Sequence, residues 1–276
     1  MPMIIFTDLD GSLLDHDDYS FQGALPALAR IRESGIPLVI VTSKTRTEVE
    51  ALLEEMGLEV PFVVESGGGL FFPPRFDHLP LPDAVQEGRF RVVRLGVPYQ
   101  RIRDFLASLP PALELRGFGD LSPEAIQEAT GLTEREARMA RVREFTEPFL
   151  PGGPGGPGGE ARMADLQERA ARAGLKIVQG GRFHHLMGVE QDKGRAVLRV
   201  ARAFREGWGS EVRTVGLGDS PNDLAMLEVV DIPILIPNPR GSPPALHRSG
   251  LVKAPLPGSR GWNAAVLDLL DSAKED

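Results

Sequence analysis

MPMIIFTDLDGS (residues 1–12) decides the fold: an apolar run that ends in two aspartates, Asp8 and Asp10. Far downstream, VRTVGLGDSPND (212–223) repeats the form, with Asp219 and Asp223 following another apolar run. Short aliphatic and β-branched runs without alternation read as strands buried on both faces, the pattern of a parallel sheet. Each acidic cluster then stands at the carboxyl end of a strand. Open α/β sheets bind ligands at that edge, so two segments remote in sequence converge on one site. Carboxylates gathered in one crevice raise each other's pKa unless a cation neutralises them. A hard divalent ion with oxygen ligands, Mg2+, answers that need.

Two further pieces lie between the clusters. IPLVIVTSKT (36–45) is a strand running into Thr42, Ser43, Lys44 and Thr45, all hydrogen-bond donors and suited to a phosphate. In EQDKGRAVLRVARAF (190–204), Asp192 is placed to cap a helix whose first turn carries the Lys193 ammonium.

The rest of the chain follows the same rhythm at both ends. Up to about residue 83 strands alternate with helices, and the helices stop at Gly35 and Gly57, as left-handed caps would have it. The alternation resumes after about residue 188. Between them the order changes: FRVVRLG a strand, then three helices, REFTEPFL a strand, a further helix, and KIVQGG with RFHHLMG a hairpin across Gly180-Gly181. The fold class expected is α/β, a Rossmann-like doubly wound parallel sheet over 1–83 and 188–276, with an α+β insert over 84–187. PGGPGGPGGE (151–160) buries nothing and reads as an exposed loop within the insert.

Composition narrows the function. The chain has 276 residues, 42% of them hydrophobic, enough for a large core. Without cysteine, disulfides, thiolate metal sites and a thiol nucleophile are excluded. A net charge of −8 argues against nucleic acid as partner, whereas lysines and a metal in one cleft still admit a small anion. MPMIIFTDLD has no basic n-region, and no run approaches a membrane span, so no membrane partner and a cytoplasmic location are expected.

The ordered set Asp8-x-Asp10-Gly11-Ser12, Ser43 after a strand, Lys193, and Gly218-Asp219-x-x-Asn222-Asp223 resembles the haloacid dehalogenase superfamily of phosphatases and phosphotransferases. Taken singly, each motif also fits a solvated turn or a helix cap. All of them, in order and each after a strand or at a helix start, point to catalysis. VVESGGGLFFP, REFTEPF, GGRFHHLMG and QDKG further resemble the mannosyl-3-phosphoglycerate phosphatase family within it, with Ser66 departing from the wider pattern. That family removes the phosphate of 2-O-mannosyl-3-phosphoglycerate to give mannosylglycerate, and the insert corresponds to its cap.

The resemblance implies roles. Asp8 is the nucleophile that forms an aspartyl-phosphate, Asp10 the general acid and base, and Ser43 and Lys193 carry the phosphoryl group. Mg2+ is held by Asp8, the Asp10 carbonyl and Asp219, with Asp223 behind them. For the substrate, a phosphorylated sugar acid, Lys44, Thr45, Arg143, Thr146, His185, Ser220 and Asn222 are candidates, Arg143 for the carboxylate. Along an apparent strand from Arg143 to Glu147 only alternate residues share a face, and of His184 and His185 at most one does. A broader sugar-phosphate or glucosyl-3-phosphoglycerate phosphatase, a hexose phosphomutase and a non-catalytic binding module are the alternatives.

Overall fold

The structure, a computed structural model, describes residues 1–110, 115–150, 159–179, 183–239 and 248–272. Most of the Pro-Gly-Gly run and the Gly180-Gly181 turn lie outside them. The chain divides into two compact units, Met1–Thr42, Glu59–Val93 and Asp192–Asp276 forming one, Ser43–Leu58 and Arg94–Gln191 the other.

In chain order the elements begin with β1 (Met3–Thr7), α1 (Leu25–Glu33), β2 (Leu38–Val41), α2 (Arg46–Met56), β3 (Phe62–Val64), β4 (Gly69–Phe72), β5 (Val85–Glu87) and β6 (Phe90–Arg94). Next come α3 (Tyr99–Ala107), β7 (Arg116–Gly117), α4 (Pro123–Thr130), α5 (Glu134–Ala140), β8 (Thr146–Leu150), α6 (Gly159–Arg172), β9 (Leu175–Gln179) and β10 (His184–Gly188). The chain closes with α7 (Lys193–Trp208), β11 (Arg213–Gly218), α8 (Leu224–Val229), β12 (Ile232–Leu235), β13 (Val252–Lys253) and α9 (Gly258–Ser272).

The first unit is built on a nine-stranded sheet in the order β13-β12-β11-β1-β2-β3-β4-β6-β5. From β13 to β3 the pairs are parallel, and β3–β4 and β5–β6 are antiparallel. Ile4, Ile5 and Phe6 are fully buried, as strands covered on both faces require. FRVVRLG, expected to open the insert, is instead a strand of this sheet. The reason is aromatic: Phe90 packs edge-on against Phe62 at 5.3 Å and Phe71 at 6.0 Å, adding to a stack on the large sheet.

The second unit carries a four-stranded antiparallel sheet in the order β7-β8-β10-β9. Phe149, Leu186 and Leu175 pack on one of its faces with Ile102 of α3 and Leu166 and Ala170 of α6. Alternation and register put Thr146, Pro148, His185 and Met187 on the opposite face. Strand β8 begins only at Thr146, so Arg143 precedes the strand on which it was expected. Among the described residues no helix is long and apolar enough to cross a membrane.

Candidate active site

Parallel pairing of β1 with β11 brings the two acidic motifs side by side, and the Asp8 amide donates to the Leu217 carbonyl at 2.9 Å. Beyond Asp8 the chain turns through Gly11 at φ +76°, a left-handed conformation that a side chain resists. A Cβ there would also stand 2.6 Å from the Asp219 carboxylate. Gly218 has a similar reason, since its Cβ would fall 2.5 Å from that of Asp223. Both glycines let backbone close around carboxylates.

Helix α7 supplies the cation. The Asp192 side chain caps it by accepting from the Arg195 amide at 2.8 Å, which places Lys193 at the first helical residue, fully buried. Its Nζ lies 2.6 Å from Asp8 Oδ1 and 2.6 Å from Asp223 Oδ1. The other oxygen of Asp223 accepts from the Asp219 amide at 3.1 Å and from the Ser220 amide and hydroxyl at 3.1 and 3.0 Å. Asp223 is thus engaged through both oxygens. The Ser220 hydroxyl, with one proton, also has Asn222 Oδ1 at 2.8 Å, so both residues work within the turn.

Asp8, Asp219 and Asp223 are all buried, with one oxygen of each within 4.8 Å of the others. Burial, then the Asp223 charge, pushes the Asp8 pKa well above the carboxylate range, and Lys193 opposes this only in part. Asp219 is raised by burial, against a contact to His16. Burial alone would lower Lys193, but the Asp223 and Asp8 carboxylates outweigh it and hold the ammonium above its usual pKa. These directions agree, because one ammonium among three carboxylates leaves two negative charges uncompensated. A divalent cation fits such a donor set, with Asp8 and Asp219 the groups placed to hold it.

Two groups at Asp219 escaped the sequence reading. Asn238 Nδ2 donates to Asp219 Oδ2 at 2.7 Å, and His16 Nε2 approaches the same oxygen at 3.2 Å. Asn238 follows β12 at the carboxyl edge of the sheet, and that placement was the available signal. His16 sits in the loop that follows Asp10 and Gly11. Asp15 ties that loop down by accepting from the Ser259 amide at 2.9 Å and hydroxyl at 3.0 Å. Asp10 begins the same loop, in a single bridge with Leu14.

Ser43, Lys44, Thr45, Arg143, Thr146 and His185 belong to the second unit. Thr45 is buried and caps α2 in a reciprocal pairing with Glu48, while Lys44 Nζ lies 4.0 Å from Glu48. Arg143 donates from Nε to the Ala140 carbonyl at 2.8 Å and from Nη1 to the Ser43 carbonyl at 3.1 Å and Thr146 Oγ1 at 3.3 Å. His184 stacks on Phe149, on the helix-covered face, so His185 takes the other. Burial, then the Arg143 charge, lowers the His185 pKa to about 3, keeping the ring neutral above that.

The chain resembles characterised families at three levels. Residues 5–72 match the model of the haloacid dehalogenase-like hydrolases. A glucosyl-3-phosphoglycerate/mannosyl-3-phosphoglycerate phosphatase of Persephonella marina is 47% identical over 98% of this chain and 97% of its own. A protein of the same name from Methanococcoides burtonii is 40% identical over 98% of each. Among solved structures, a Thermoplasma acidophilum protein matches with a TM-score of 0.66 at 18% identity, over 98% of this chain and 99% of its own, a likeness of fold.

Proposed function

This chain belongs to the haloacid dehalogenase-like phosphatases, in the family of its glucosyl-3-phosphoglycerate/mannosyl-3-phosphoglycerate relatives, and from that membership we propose that it hydrolyses 2-O-mannosyl-3-phosphoglycerate to mannosylglycerate and phosphate. It is a phosphoric monoester hydrolase. The observation that carries the substrate assignment is the reach of the likeness, 98% of the chain, which takes in the second unit as well as the catalytic motifs. The relatives' names hold both sugars, which favours the glucosyl analogue as a second substrate.

The chemistry proposed starts at Asp8. Lys193 occupies Oδ1, leaving Oδ2 to attack phosphorus, and the bond to the leaving oxygen breaks as the aspartyl-phosphate forms. Asp10 gives its proton to the leaving alkoxide. It then takes one from the water that attacks the same phosphorus and frees Asp8. Ser43 and Lys193 are the groups assigned to the phosphoryl oxygens. Bound Mg2+ supplies charge neutralisation for phosphate and carboxylates alike. Asp223 keeps Lys193 aimed and charged, and Asn238 fixes one oxygen of Asp219.

Phosphate release measured with Mg2+ and with EDTA, from mannosyl- and glucosyl-3-phosphoglycerate, mannose 6-phosphate and 3-phosphoglycerate, tests this reading. Mg2+-dependent preference for the two glycosyl compounds is the expected result. Equal turnover of all four would overturn the substrate assignment and leave a general sugar-phosphate phosphatase.

A further inference from the structure

We propose that Arg143 is a positioning residue for the phosphate-binding turn at Ser43, rather than a ligand of the substrate's carboxylate. The inference rests on the phosphatase reading and deepens it.

Two of the three guanidinium nitrogens are engaged by the protein. Nε goes to the Ala140 carbonyl at the end of α5, and Nη1 is shared between the Ser43 carbonyl and Thr146 Oγ1. Among the described residues no carboxylate pairs with it. The Ser43 carbonyl and the Lys44 N–H belong to one planar trans peptide, so holding the first aims the second in the opposite direction. Arg143 therefore sets the orientation of the peptide that directly follows the phosphate-binding serine.

A second tie runs in parallel. The Met139 carbonyl, one residue before Ala140, lies 3.1 Å from both Thr45 Oγ1 and Thr47 Oγ1. The last carbonyls of α5 and Arg143 thus grip the segment 43–47 at both ends of its turn. Phe118 backs the guanidinium, whose carbon lies 5.9 Å from the ring centroid, and Thr146, fully buried at the start of β8, closes the far side. A planar fork suits three acceptors spread over two segments, which a single ammonium does not match.

Binding of inorganic phosphate by calorimetry, together with kcat and KM for mannosyl-3-phosphoglycerate and p-nitrophenyl phosphate, would be compared in the wild type, Arg143→Lys and Arg143→Met, with Tm for each. The second substrate has neither carboxylate nor sugar. In Arg143→Met, phosphate affinity is expected to fall about tenfold, and KM for both substrates to rise by the same factor, as for one charged hydrogen bond. Arg143→Lys should recover part of the loss. A loss confined to the carboxylate-bearing substrate would overturn the inference and make Arg143 a substrate ligand. A lowered Tm with phosphate affinity and KM unchanged would reduce it to a structural tie. If the wild type hydrolyses neither compound the phosphatase reading fails, whereas the phosphate-binding arm still decides what Arg143 does.

Discussion

The acidic cradle of the first unit and the β8–β10 face of the second solve opposite electrostatic problems. Around Asp8 charge is concentrated: three carboxylates and one ammonium, buried and linked across 185 residues of sequence by the Lys193–Asp8 bond. On the two middle strands of the other sheet, β8 and β10, the face away from the helices carries Thr146 and a His185 kept neutral as its polar groups, beside the Arg143 guanidinium, whose acceptors are uncharged; the cations Arg116 and Lys176 stand on the flanking strands. Phosphoryl transfer needs charges fixed where charge develops. A hexose presents hydroxyls, which neutral groups recognise without desolvating an ion. On the proposed reading, the division between charged and neutral polar groups is the division between chemistry and selectivity.

The harshest test of that division removes the proposed nucleophile. Asp8→Asn is expected to lower kcat by on the order of 10⁴-fold or more on every phosphomonoester. Because it also removes one of three mutually repelling carboxylates, Tm in EDTA should stay level or rise. A variant that lost activity by unfolding would undo the assignment. Lys193→Met comes next: Asp8 and Asp223 would be left buried without their cation, costing about 3–5 kcal/mol in denaturant unfolding, with turnover lost as well. Unchanged stability would mean that the network is slack. Asn238→Ala should spare the fold and weaken Mg2+ binding about 10- to 100-fold, read by calorimetry, since it frees the oxygen of Asp219 that Asn238 holds.

The same division explains what the sequence made legible. Asp8, Asp219 and Lys193 could be read because each is an ion at a strand end or helix start, where an uncompensated charge would be costly. The parallel strands could be read because burial on both faces writes unbroken apolar runs such as MIIF and LVIV. β6 misled because FRVVR looks alike on either sheet, and only the Phe62 and Phe71 rings decide its place. The strand expected over REFTEPFL starts later than its alternation suggests, since β8 begins only at Thr146. His16 carries no local signal, since its partner Asp219 is brought to it solely by the pairing of β1 with β11.

The mildest prediction probes the neutral side, where an imidazole is held uncharged by burial and by Arg143. His185 has a pKa of about 3 in the folded protein against an ordinary value of 6.5. Below pH 6.5 the unfolded chain takes up a proton that the folded chain refuses, so stability falls as pH drops from 6.5 toward 3 and is unaffected above that window. Because the residue is only partly buried, water at its edge limits the loss to about 1–2 kcal/mol near pH 4. His185→Asn keeps a neutral hydrogen-bonding group without the titration. Its denaturant midpoint should therefore decline less steeply than the wild type's between pH 6.5 and 4, and match its slope at pH 7–8. At neutral pH the variant should lose a few-fold in kcat/KM for mannosyl-3-phosphoglycerate, about one neutral hydrogen bond, and nothing for p-nitrophenyl phosphate. Equal losses on both would move His185 from the sugar to the phosphate, and the separation of charged chemistry from neutral selectivity would fail at that residue.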